Sequence, residues 1–223
     1  EWVCERAHEL GVANVLRAIH GVRPGPLRGI RAMVARHLQC VGMDREAVIK
    51  RVLELYSNDE TVDPDEAEEI AELLSPASQE IRESGIRVIQ FERPEEWYGV
   101  LERLLHRLAA RRPVILSLDD VHWGLDALGF TLYLLRRQVS NPARILILMT
   151  VQDENLPDDS IEAMWLRELQ GDERTLVVQL QPLSPEEQAQ LTRVALGLVP
   201  VLAEQIDRKA RGVPLYAIQL VSQ

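Results

Sequence analysis

Two nearly continuous apolar runs, Val114–Leu118 (VILSL) and Ile145–Thr150 (ILILMT), constrain this chain more than any other feature. A strand with one wet face alternates apolar and polar residues. A strand buried on both faces does not, and parallel sheets are built from such strands. Between the runs, Leu125, Leu128, Leu132 and Leu135 recur at helical spacing. Before them, Trp97, Leu101, Leu104, Leu105 and Leu108 mark one face of a long helix over 94–111. A further helix near 160–170 leads to a third apolar run, Thr175–Leu180 (TLVVQL). Strands alternating with helices predict an α/β fold, a parallel sheet with helices on both faces.

The rest of the chain fits around that frame. Residues 2–10 read as a helix stopped at Gly11, and Ala13–His20 as a short strand followed by a loop with Pro24, Gly25 and Pro26. Helical spacing recurs in Leu27, Ile30, Val34 and Leu38, and again in Val48, Val52 and Leu55. Asp63-Pro64-Asp65-Glu66 predicts a helix start, with Asp63 as cap, Pro64 in the first turn and Glu66 reaching back to the cap amide. After Pro182 only helical patterns follow, over 184–196, 200–211 and 214–222. The expected division is an α/β domain over 1–182 and the start of a helical domain over 183–223.

Charge is unevenly placed. Residues 54–83 hold eleven acids and one base, and so carry the whole net charge of −10. The other 193 residues hold 24 acids and 24 bases. No basic arm is present to displace counterions, so general nucleic-acid binding and docking on an anionic membrane are not expected. The acidic segment reads as a solvated helical insertion; the other reading is a docking face for a basic protein partner. Cys4 and Cys40 lack metal-type spacing and read as thiols of a cytoplasmic protein. No apolar run approaches the roughly 20 residues of a membrane helix, and no segment reads as a secretory leader.

The segment richest in chemistry is Asp119-Asp120-Val121-His122-Trp123, directly after the first apolar run. Two carboxylates at the carboxyl end of a parallel strand stand where open α/β sheets bind ligands. Capping of the next helix is the competing role. Hydrophobics followed by Asp-Asp-x-His-Trp resemble the Walker B segment of the signal-transduction ATPases with numerous domains. These are P-loop ATPases of bacterial LuxR-type regulators and multidomain Ser/Thr kinases. Ile145–Thr150 with Val151-Gln152-Asp153-Glu154 is similar to that family's sensor strand, which usually ends in Thr-x-Arg-Asp/Glu. Leu180-Gln181-Pro182-Leu183-Ser184-Pro185-Glu186-Glu187 resembles its sheet-to-lid junction, and Gly212-Val213-Pro214-Leu215 its Gly-x-Pro-Leu lid motif. Arg17-Ala18-Ile19-His20, with Gly25-Pro26-Leu27, resembles its second strand and the following loop. The resemblance covers most of the chain.

It implies an ATP-binding and ATP-hydrolysing fold with Mg²⁺ at Asp119 and a water-orienting base at Asp120. His122 and Trp123 would support the nucleotide site or simply pack. Gly212 and Pro214 would approach nucleotide from the lid, or Pro214 would only open a helix. The implied output is a linked kinase or DNA-binding effector with a helical-repeat sensor elsewhere in a parent chain. A non-hydrolysing scaffold for protein partners is the alternative. A metal-dependent hydrolase built on Asp119, Asp120 and His122 would need further ligands, and none is evident.

Two departures matter. A P-loop needs Gly-x-x-x-x-Gly-Lys-Ser/Thr, but the only lysines are Lys50 and Lys209, neither in a glycine loop. Glu1–Leu10 resembles the distal part of the helix that follows such a loop, so the first strand and the loop are expected upstream, and these residues alone are expected not to turn over ATP. Second, Gln152 stands where the family often has Arg, so it would bond a phosphate without neutralising it. Among Arg23, Arg28, Arg31 and Arg36, one could contact nucleotide or a partner.

Overall fold

The computed structural model describes residues 2–23, 25, 27–57, 64–84, 87–152 and 156–222. Helix α1 (Trp2–Glu9) leads into β1 (Asn14–Ile19). Helices α2 (Gly29–His37), α3 (Arg45–Leu55), α4 (Pro64–Leu74), α5 (Gln79–Glu83) and α6 (Pro94–Arg111) follow before β2 (Val114–Asp119). A 3-10 turn, Val121–Trp123, then α7 (Leu125–Arg137), connect β2 to β3 (Ile145–Met149), and α8 (Ile161–Gln170) comes next. Strands β1, β2 and β3 form a parallel sheet in that order, with Leu16 opposite Leu116 and Leu116 opposite Ile147.

Alternation assigns the two faces of the sheet. Leu16 and Ala18 of β1, and Val114, Leu116 and Leu118 of β2, enter one core with residues of α2, α3, α4, α6, α7 and α8. Ile115 points to the other face, in a small cluster with Cys4 and Ala7 of α1, Ala13, Val15 and Leu148. β2 is therefore buried as its sequence predicts. β3 is less so: Leu146 is half-exposed.

The third expected strand does not form among the described residues. Residues 175–180 pair with no described strand, and Leu176 and Leu180 are 86% and 90% exposed. An apolar run becomes a strand only when a neighbouring edge takes its backbone hydrogen bonds. The chain accordingly divides into Glu1–Asp172 and Glu173–Gln223, with 173–182 joining the second unit rather than the α/β unit.

The acidic segment is not the solvated insertion its charge suggests. In α4, Ala67, Ile70, Ala71 and Leu73 are fully buried in the main core. Its carboxylates face bases on neighbouring helices. Glu66 takes a two-pronged bond from Arg107 at 3.0 and 2.8 Å, and Glu69 pairs with Arg103. Glu72 receives Arg45 at 2.7 Å and Arg82 at 3.0 Å. Glu66 is buried, and the two-pronged guanidinium satisfies its carboxylate there. The cap expected between Asp63 and Glu66 lies outside the described residues, as do Pro24 and Pro26.

Glu102 anchors a second network. It accepts from Tyr133 at 2.7 Å, Asn141 at 3.0 Å and Arg137 at 3.1 Å. Burial pushes its carboxyl up, but the bonds from Tyr133, Asn141 and Arg137 outweigh that and hold it below the usual carboxylate range.

In the second unit, α9 (Pro185–Gln190) opens with a full capping box between Ser184 and Glu187 and continues as a π-turn, Leu191–Ala195. Helices α10 (Pro200–Ala210) and α11 (Pro214–Val221) follow. Ile206, Ala210 and Ala217 form a small core of their own. No helix among the described residues is long and apolar enough to cross a membrane.

Candidate functional site

The carboxyl ends of β2 and β3 lie side by side, and the chain leaves both strands at the same edge. Val121 N–H donates to the Thr150 carbonyl at 3.0 Å, and Thr150 N–H to the Leu118 carbonyl at 3.0 Å. These two bonds extend the strand pairing past both strand ends and bring residues 119–122 against 150–152.

Side chains complete the junction. The Thr150 hydroxyl donates to Asp119 Oδ1 and accepts from the backbone N–H of Asp120 at 2.9 Å. Gln152 Nε2 donates to Asp120 Oδ1 at 3.5 Å, a long contact. Gln152 N–H donates to His122 Nδ1 at 3.3 Å, so the His122 proton sits on Nε2. His122 is buried, and its Nε2 has no hydrogen-bond partner among the described residues. From β1, Arg17 reaches Asp119 Oδ2 at 3.7 Å.

Asp120 is held in the left-handed region, with φ 55° and ψ 46°. Few side chains enter that region without cost, though Asp is among the more tolerant. The conformation turns the chain out of β2 and into the 3-10 turn. It also leaves Asp120 without a capping bond to the following turn, so the helix-cap alternative does not describe it.

Four of the seven residues singled out in the sequence therefore meet: Asp119, Asp120, His122 and Gln152. Trp123 packs its ring against His122, with centroids 5.0 Å apart. It also lines a cleft with His20, Arg28 and Asp126. Gly212 and Pro214 belong to the second unit, and their described contacts are internal to it. Gly212 has φ +80° and accepts from Leu183 N–H at 2.8 Å. A Cβ there would lie 2.7 Å from the Leu183 carbonyl oxygen, so glycine is needed for the fold itself. Pro214 is exposed in the first turn of α11.

Thr150 and Arg17 complete the site without having been singled out. Thr150 had a visible signal, a polar residue closing an apolar run directly before Gln152. Arg17 had one too, the only charged residue within strand Asn14–Ile19.

The donors at this junction are carboxylate and hydroxyl oxygens, which suit Mg²⁺ rather than a soft transition metal. No group of three His, Cys, Asp or Glu able to hold a metal ion occurs among the described residues. Mg²⁺ does not require one, because phosphates and water supply most of its shell and one or two carboxylates suffice. Asp119 fits that limited part. Comparison with known protein families, with curated proteins and with solved structures found no match to this chain.

Proposed function

We propose that this chain carries the acidic half of an ATP-binding, ATP-hydrolysing module that regulates a multidomain bacterial signalling protein in the cytoplasm. The observation that carries the reading is the junction of Asp119-Asp120 with Thr150 and Gln152, at the carboxyl ends of two adjacent parallel strands. Open α/β sheets bind ligands at that edge. A sheet of P-loop type is consistent with the order β1-β2-β3 and with an outer edge of β3 that pairs with no strand among the described residues.

In this reading Asp119 is the Mg²⁺-side carboxylate, and Thr150 and Arg17 fix its two oxygens before nucleotide arrives. Bound Mg²⁺ would neutralise charge on the transferring phosphoryl oxygens. Asp120 orients the attacking water and accepts its proton, with its direction set by the left-handed backbone and by the Gln152 amide. Gln152 supplies a donor without charge, so hydrolysis is slow and the bound nucleotide acts as a held state. His122 positions the backbone of Gln152 through Nδ1. The phosphate-binding loop is supplied by residues outside these 223. The nucleotide state controls a linked kinase or DNA-binding effector under a helical-repeat sensor.

One observation favours a non-hydrolysing scaffold instead. Gln152 lies against Asp120, where an arginine would have faced a phosphate. Calorimetric titration of MgATP into the parent chain, with its upstream residues, separates the two readings. The ATPase reading predicts saturable binding that requires Mg²⁺, and the scaffold reading predicts none.

A further inference from the structure

A cavity of about 730 Å³ is walled by residues of α4, α6 and α7. That volume suits a small organic ligand. It stands at the end of the sheet opposite Asp119-Asp120, because the last turns of α6 sit at the amino ends of the strands. Asn14, the first residue of β1, donates through Nδ2 to the Leu108 carbonyl at 3.1 Å. Arg144, directly before β3, donates to the Ala109 carbonyl at 2.7 Å.

Four arginines line this cavity, Arg103, Arg107, Arg111 and Arg137, against two acids, Glu66 and Glu102. Steps of four residues put the first three on one face of α6. Both acids are buried and already saturated. Glu66 takes both prongs of Arg107. Each Glu102 oxygen accepts two bonds, one from Arg137 Nε and one from Asn141 or Tyr133. Donors are left over. Arg137 gives only Nε and Arg103 only Nη2, the latter to Glu69. The Arg111 side chain has no hydrogen bond or ion pair among the described residues.

The helix ends do not take up these donors. The Leu108 carbonyl accepts from Asn14 and from Arg112 N–H, and the Ala109 carbonyl from Arg144. The Arg137 carbonyl, at the end of α7, accepts from Ser140 and Asn141 N–H. A site whose acceptors are saturated and whose donors are not selects a ligand made of acceptors. With Glu69 included, four arginines face three carboxylates, so one positive charge is in excess. The free guanidinium groups come from two helices and so approach from more than one direction. A carboxylate offers two oxygens in one plane, while a phosphate ester offers three around a tetrahedron.

We infer that this cavity binds the phosphate monoester of a small organic molecule, at a site separate from the Asp119-Asp120 junction. Arg103, Arg111 and Arg137 hold the phosphate oxygens, and the organic part lies along Gly99, Ala110 and Tyr133. Calorimetric titration of glycerol 3-phosphate into the full chain at fixed ionic strength tests this, with succinate, a dicarboxylate, run alongside. The expected result is saturable binding of glycerol 3-phosphate, about tenfold or more tighter than succinate. Arg111→Ala should weaken it about tenfold or more, the range of a lost charge-assisted bond. Its circular-dichroism spectrum should be unchanged, since the side chain is exposed and bonds to no described residue. Arg112→Ala removes the same charge one residue away, outside the lining, and should leave affinity within about twofold. No saturable binding, succinate binding as tightly as the ester, or equal weakening by the two variants would each overturn the assignment. The readout involves no nucleotide, so it stands or falls independently of ATP hydrolysis.

Discussion

Thr150 holds Asp119 from the neighbouring strand. Its hydroxyl donates to the Asp119 carboxylate while accepting from the backbone N–H of Asp120 at 2.9 Å. One side chain thus fixes both the acid and the turn that follows it. Thr150→Val removes both bonds and keeps the shape. It should lower stability by about 1 kcal/mol in urea denaturation, and Thr150→Ser should recover most of that. Equal stability of the valine variant and the parent would show that the hydroxyl does not hold the junction.

The left-handed backbone of Asp120 makes a second prediction. Comparing Asp120→Gly with Asp120→Ala isolates the backbone, because both remove the carboxylate. The glycine variant should be the more stable by about 1 kcal/mol in thermal unfolding, as only glycine occupies φ 55° freely. Alanine matching or exceeding glycine would mean that residue 120 carries no strain.

Much of this junction was legible in the sequence. Apolar runs located β2 and β3, and the acids directly after the first run located the site. Two limits were physical. Residues 175–180 have the composition of a strand, but pairing depends on a partner edge that no local pattern encodes. Trp123 packs ring to ring with its neighbour His122, yet it also lines a cleft that Asp119, Asp120 and Gln152 do not, which no local pattern shows. The acidic segment misled for a related reason. Its net charge is visible in the chain, while the pairing of Glu66, Glu69 and Glu72 with Arg45, Arg103 and Arg107 from α3 and α6 is not.

That correction gives a third prediction. Ile70 is fully buried beneath the acidic face of α4, so Ile70→Ala should cost about 2–5 kcal/mol. Deleting residues 64–83 should unfold the α/β unit and collapse the dispersion of its amide NMR signals. A deleted chain with native dispersion would restore the reading of a detachable insertion.

Glu102 predicts a pH dependence. Its folded carboxyl is held below the usual range, so the unfolded chain binds the proton more readily than the folded one. The stability this contributes is fully present above the unfolded value near ~4.3 and is lost as pH falls through the lowered folded value. Glu102→Gln should therefore cost about 1 kcal/mol at neutral pH, since the half-exposed Arg137 stays solvated, with the difference from the parent shrinking as pH drops below about 4. Urea denaturation across that range checks it, and a difference that stays constant with pH would contradict the ionised network.

The most direct measurement is phosphate release from MgATP by the parent chain with its upstream residues, with and without Asp120→Asn. The account predicts slow but measurable turnover in the parent. It predicts nucleotide affinity within about threefold in the variant and turnover lower by about 100-fold or more, the range of a lost general base. An intact parent that binds no ATP, or a variant that hydrolyses it as fast as the parent, would contradict it.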